Sequence, residues 1–227
     1  MFAPHLGSSP VLIAEREAIA LAGRRLAAAG LVLGTAGNLS LRSSSRIAVT
    51  ATGAALAELT ADQVSVVDRR GRLLHGGLAP TTELGLHLGI YRRYRAGAVV
   101  HTHAPWATAL SCVIEELPCI HYQMLPLGGS VRVAPYRLFG TPELARVTLR
   151  ALQDRRAALM ANHGAICYAD TLDQAIESAL VLEFACALYW RAAQLGTPQT
   201  LDADQWREVA AHVRRLRYGA PRRARRG

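Results

Sequence analysis

The sequence predicts an α/β fold of three layers, with helices on both faces of a mixed, largely antiparallel central sheet. Three observations carry this. Short apolar runs alternate with longer segments of helical period. Several of the short runs come in pairs separated by a tight turn, which marks hairpins and hence antiparallel pairing. The chain has 227 residues of which 51% are apolar, enough for one domain with a full core over 1–227.

Each element has a local reason. Residues 11–30 form a first helix, because Ile13, Ile19 and Leu26 line one face and Gly30 supplies a stop. A Gly- and Asn-rich turn at 34–40 leads into a hairpin of 39–41 with 47–50, and Thr52-Gly53 makes another turn. Thr60-Ala61-Asp62 caps a short helix. Strands at 64–67 and 72–74 flank Arg70-Gly71. Thr81 or Thr82 caps a helix over 83–95. A strand at 98–103 runs into a helix that Pro105 starts and Cys112 ends. Short strands at 120–122 and 131–133 lie on either side of Gly128-Gly129. Thr141-Pro142-Glu143 opens a helix to about Gln153. Strands at 157–160 and 165–168 precede a long helix, capped by Asp170 or Thr171, to about Ala193. Residues 202–217 form the last helix.

Composition excludes several functions. No run of about 18 uncharged apolar residues is present, so a membrane span is not expected. Residues 1–10 lack the basic and apolar regions of a secretory signal. Cys112, Cys119, Cys167 and Cys186 have neither zinc-ribbon nor disulfide-framework spacing, which points to reduced thiols in a cytoplasm. The net charge is +9, and seven arginines with no acid fall in 214–227, so this end is a basic tail that could bind nucleic acid. The plainer account of that tail is a solvated chain end. The chain contains no lysine, which rules out a lysine Schiff base and a P-loop lysine. If a carbon–carbon bond beside a carbonyl is made or broken here, a metal must be the electron sink. The dinucleotide fingerprint G-x-G-x-x-G does not occur.

The chemistry concentrates in His101-Thr102-His103. In a strand, residues i and i+2 share a face, so the two imidazoles can reach one ion. His163, after the apolar run 157–160 and between Asn162 and Gly164, is a third candidate; alone it could be a capped loop histidine. Glu83 opens a helix, where the dipole favours an anion, and alone it could be an ordinary first-turn acid. Three imidazoles and a carboxylate suit a divalent metal, zinc first, with Mn²⁺ and Co²⁺ as alternatives. His5, His75, His87, His121 and His212 have no such pattern, although His87 stands one helical turn from Glu83. Gly37-Asn38, Thr52-Gly53 and Thr81-Thr82 are candidate phosphate cradles, because glycine exposes backbone N–H groups and threonine adds hydroxyls.

Taken in order, GTAGNLS at 34–40, Thr52-Gly53, Thr81-Thr82-Glu83, VHTHA at 100–104, Ile120-His121-Tyr122, Ala134-Pro135-Tyr136 with Phe139-Gly140-Thr141, and Asn162-His163-Gly164 resemble the class II aldolase/adducin-type family over about 11–218. The resemblance implies that fold, and zinc held by His101, His103 and His163 with Glu83 as a fourth ligand that substrate displaces and that then serves as base. It implies a phosphate pocket of Gly37, Asn38, Thr52, Gly53, Thr81 and Thr82, with a Thr-Thr pair where the family has Ser-Ser. It assigns Tyr122 a proton-transfer role in a neighbouring subunit's site, and Phe139 and Tyr218 to the aldehyde end. The implied assembly is a homotetramer with sites between subunits. The implied reaction is reversible cleavage of a phosphorylated ketose, of the L-fuculose 1-phosphate type, to dihydroxyacetone phosphate and an aldehyde. A pentulose-phosphate epimerase, a methylthioribulose-1-phosphate dehydratase and a sugar-acid phosphate decarboxylase share the scaffold. Epimerase relatives usually carry Asp where Glu83 stands, which favours the aldolase. A non-catalytic module is disfavoured because every ligand position is filled.

Overall fold

The computed structural model describes residues 12–216. Its chain order is α1 (Ile13–Ala28), β1 (Asn38–Ser43), β2 (Arg46–Thr50), β3 (Val64–Asp68), β4 (Leu73–His75), α2 (Leu84–Arg93), β5 (Ala98–Thr102), α3 (Pro105–Ser111), β6 (Glu116–Leu117), β7 (Val131–Ala134), α4 (Pro142–Ala151), β8 (Ala157–Met160), β9 (Gly164–Ala169), α5 (Leu172–Leu195) and α6 (Ala203–Leu216). Among the described residues the strands form one nine-stranded sheet in the order β4-β3-β2-β1-β5-β9-β8-β7-β6. Only the β7–β8 pair is parallel. The expected mixed, largely antiparallel α/β architecture is what the chain adopts.

The period of two along the strands divides the core between the two faces. Leu39, Ala48, Val66, Val100, Leu159 and Cys167 turn to one face and pack with α1, α3 and α5. Ile47, Val49, Val67, Val99, Met160 and Ile166 turn to the other and pack with α2 and α4. Helix ends follow their capping chemistry. Thr141 Oγ1 accepts from Leu144 N with Pro142 at the first helical position, and Thr171 Oγ1 accepts from Gln174 N. The Thr60 turn is a full capping box with Gln63.

Two expectations need correction. Residues 120–122 are not a strand: a 3-10 turn spans Tyr122–Leu127, and the His121 ring caps it by accepting from Gln123 N. Pro126 lies within this turn, and its missing N–H and fixed φ suit a turn rather than a sheet ladder. The local strand is instead the two-residue β6, paired with β7. The helix expected at 83–95 is shorter. Glu83 is its N-cap rather than a first-turn residue, and Tyr94 is already extended. No helix among the described residues is long and apolar enough to cross a membrane. The four cysteines are free thiols. The tail beyond Leu216 and Tyr218 lie outside the described residues.

Candidate metal centre

Strands β1, β5 and β9 adjoin in the middle of the sheet, and their ends bring the candidate ligands together. Asn38 on β1 is register partner to His101 on β5, which in turn partners Ile166 on β9. His101 lies on β5 and His103 just beyond its last residue, yet the alternation holds, and their Nε2 atoms are 3.0 Å apart. Asn162 takes the left-handed conformation (φ 55°) in the short β8–β9 link that carries His163. Gly164 follows it because a Cβ there would sit 2.3 Å from Thr102 O and 3.4 Å from His101 Cε1.

The three imidazoles form a near-symmetric cluster, with ring centroids 4.8–4.9 Å apart. One ligand nitrogen from each lies within 4.8 Å of the others. His101 is wholly buried, and its Nδ1–H donates to the Ala165 carbonyl at 2.9 Å. That bond leaves Nε2 to face the cluster, the arrangement that metal-bound histidines use.

Glu83 enters from the other side, at the head of α2. Its N–H donates to Thr81 Oγ1 (3.3 Å), which places Thr81 beneath the carboxylate's own residue. Glu83 Oε2 lies 3.1 Å from His101 Nε2 and accepts from Asn38 Nδ2 at 2.9 Å. Oε1 is 3.6 Å from His163 Nε2 and, although buried, has no hydrogen-bond partner among the described residues. A buried carboxylate oxygen with no hydrogen bond, 3.6 Å from a ring nitrogen of the cluster, is costly unless a cation sits beside it. The donor set, three imidazoles and one carboxylate, therefore fits a divalent ion.

Burial alone would raise the Glu83 carboxyl, but the His101 charge and the His101 and Asn38 hydrogen bonds override it and hold the group far below the usual carboxylate range. Burial pushes His103 down to about 4, with the charges of His101 and His163 adding to it, so this ring is neutral at neutral pH. Burial also lowers His163. Burial acts to lower His101 as well, but the adjacent Glu83 charge prevails and raises it.

The cluster lies at a cleft of about 530 Å³. Gly37, Asn38, Thr52, Gly53, Thr81, Thr82 and Phe139 all line it, together with Glu83, His103 and His163. Gly37 (φ +86°) is pressed against the His101 carbonyl, where a Cβ would come within 3.0 Å. Tyr122 is not brought to this cleft: it lines a separate hollow with Val209, His212 and Leu216 of α6. Sequence reasoning did not single out Arg137, which lines the cleft beside Tyr136 and is the one arginine among its described lining residues. It also left His87 unpartnered, whereas His87 is fully buried and bonded to Asn38 and Ser40. Its spacing of four from Glu83 was the available signal.

Residues 17–190 match the model of the class II aldolase and adducin N-terminal domain. A 5-methylthioribulose-1-phosphate/5-deoxyribulose-1-phosphate aldolase from Rhodospirillum rubrum is 38% identical over 199 residues, covering 87% of this chain and 90% of that protein. L-fuculose phosphate aldolase from Escherichia coli K12 is 35% identical over 193 residues, covering 84% of this chain and 88% of that one. A solved L-fuculose 1-phosphate aldolase superposes with a TM-score of 0.85 at 32% identity, covering 88% of this chain and 96% of that one. With a match extending over well over half its length and these relatives, the chain belongs to the class II aldolase and adducin N-terminal domain family.

Proposed function

We propose that this chain is a zinc-dependent aldolase that reversibly cleaves a ketose 1-phosphate, of the L-fuculose 1-phosphate type, to dihydroxyacetone phosphate and an aldehyde. The observation that carries the reading is the Glu83 carboxylate, buried at the back of a hydroxyl- and glycine-lined cleft beside the cluster of His101, His103 and His163, with Oε2 against His101 and the unsatisfied Oε1 3.6 Å from His163. His101, His103 and His163 would hold the ion, with Glu83 beside them. A divalent ion supplies Lewis-acid polarisation of a substrate carbonyl. Gly37, Thr52, Gly53, Thr81 and Thr82 offer backbone N–H groups and hydroxyls to the phosphate, which fixes the sugar's orientation. Glu83, held ionised by its neighbours, takes and returns the proton at the carbon next to the carbonyl.

Tyr122 belongs to this reading only in a homotetramer, where it serves the cleft of a neighbouring subunit. The half-exposed Tyr122, Phe184 and Trp190 support such contacts, and sedimentation as a tetramer is the check. A second reading keeps the chemistry and changes the aldehyde. Tyr136 and Phe139 stand exposed at the cleft, which favours an apolar tail such as that of a 5-deoxy or 5-methylthio pentulose 1-phosphate.

The test is release of dihydroxyacetone phosphate by purified enzyme before chelation, after it, and after zinc is returned. L-fuculose 1-phosphate and 5-deoxyribulose 1-phosphate are run side by side. Zinc-restored release supports the aldolase, and the better substrate decides the tail. No release from either by a zinc-replete protein sinks the aldolase in favour of epimerase, dehydratase or decarboxylase chemistry.

A further inference from the structure

We propose that His87 is a positioning residue that dictates which end of the Asn38 amide faces Glu83, and so holds the carboxylate with its unpartnered oxygen toward the cluster of histidines. The inference rests on the reading of Glu83 as base for its kinetic consequence, though not for its structural content. Five side chains from β1 and α2 form one buried run. Tyr91 OH lies 2.8 Å from Ser40 Oγ, Ser40 Oγ 2.7 Å from His87 Nδ1, His87 Nε2 2.6 Å from Asn38 Oδ1, and Asn38 Nδ2 2.9 Å from Glu83 Oε2.

The donors in this run can point only one way. A carboxylate oxygen accepts, so Asn38 must turn its NH₂ toward Glu83 and its carbonyl toward His87. A carbonyl accepts too, so His87 Nε2 must carry the proton. A neutral ring then has a bare Nδ1, which accepts from the Ser40 hydroxyl, and Ser40 Oγ accepts the one Tyr91 proton at 2.8 Å in preference to the Gly97 carbonyl at 3.5 Å. The His87 ring and Ser40 are wholly buried, so water cannot stand in for either of them. With the other tautomer, Asn38 Oδ1 would face a bare nitrogen, and the amide would gain by flipping. Its carbonyl would then oppose the Glu83 carboxylate. His87 thus acts on Glu83 through Asn38, touching neither the cleft nor any cluster histidine by hydrogen bond.

The consequence falls on Glu83. Oε2 is fixed from two sides, by Asn38 and His101, while Oε1 has no hydrogen bond. A carboxylate fixed at one oxygen cannot rotate the other away from its target, which is what a base needs to meet a carbon proton at short range. Supporting partners of this kind typically cost about 10–100-fold in activity or metal affinity when lost.

Two measurements test it. Long-range ¹⁵N NMR of histidine-labelled wild-type protein should show His87 as the neutral Nε2–H tautomer; an Nδ1–H tautomer or an imidazolium at neutral pH overturns the proposal whatever the enzyme does. In kinetics, His87→Gln can still present an amide N–H near the Nε2 position, whereas His87→Asn reaches only toward Ser40. Expected is a fall in kcat of about tenfold or more for His87→Asn, with KM within about twofold, and substantial recovery in His87→Gln. The double variant His87→Asn/Asn38→Ala should be no slower than Asn38→Ala alone, because the two act in series. Multiplicative losses in the double variant, or equal losses in the Gln and Asn variants, overturn it. If Glu83→Gln proves fully active, the base assignment fails, and the NMR result still decides the tautomer.

Discussion

Glu83 Oε2 and His101 Nε2 meet at 3.1 Å in the interior, one from the cap of α2 and the other from the middle strand β5. This contact joins the proton-handling candidate to the ligand cluster, so the two roles can be separated by substitution. Glu83→Gln keeps the side chain's shape and removes its charge. The expected result is zinc retained near one ion per chain with kcat lowered by about 10²–10⁴-fold. Metal content by atomic absorption beside turnover is the check. Undiminished turnover at full zinc would remove Glu83 from the proton step.

His87 gives the metal-free protein a pH-dependent stability. Burial pushes this ring down from its ordinary 6.5 to about 4, with His101 adding to the effect and Glu83 opposing it. Above pH 6.5 the ring is neutral in folded and unfolded chains and contributes nothing. Between 6.5 and 4 the unfolded chain binds a proton that the folded interior refuses, so stability falls as pH falls. Below about 4 the loss is complete, about 3 kcal/mol. Urea unfolding of the metal-free protein from pH 7 to 4.5 should therefore show a steeper decline for the wild type than for His87→Gln. Parallel declines would mean that His87 is not the group responsible.

Much of this centre is local in the chain and therefore legible from it. The period-two rule put His101 and His103 on one face, and Gly37, Asn38, Thr52, Thr81 and Thr82 line the cleft that their glycine and hydroxyl chemistry suggested. What escaped was tertiary. His87 meets Ser40 and Asn38 only because β1 lies under α2, across 47 and 49 residues of sequence, and no local pattern records that pairing. The strand expected at 120–122 failed for the opposite reason. Ile120 and Tyr122 have strand propensity, but Pro126 and the His121 cap fixed the segment as a 3-10 turn.

Gly164 is required by contact rather than by backbone angle. Adding a Cβ would place it 2.3 Å from the Thr102 carbonyl, within the β5–β9 pairing that supports His101. Gly164→Ala must push β9 outward, at a cost of about 1–3 kcal/mol. Because the same Cβ would approach the His101 ring, zinc affinity should fall along with the unfolding midpoint. A variant with wild-type stability and wild-type zinc affinity would show that the strands yield more readily than their hydrogen bonding suggests.

The aromatic rim decides which aldehyde the cleft accepts. Tyr136 and Phe139 are 58% and 64% exposed and both border the cleft, beside Arg137. An apolar substrate tail lying across these rings would remove their surface from water, and one or two buried methyl-sized groups are worth about tenfold in kcat/KM. A hydroxylated tail gains far less, because its own hydration is lost. Phe139→Ala should therefore lower kcat/KM about tenfold on 5-deoxyribulose 1-phosphate and little on ribulose 1-phosphate, whose tail ends in a hydroxyl, with zinc content unchanged. Equal losses on both substrates would assign Phe139 to holding the 135–140 segment in place rather than to sensing the tail, and would shift the choice of aldehyde to Arg137.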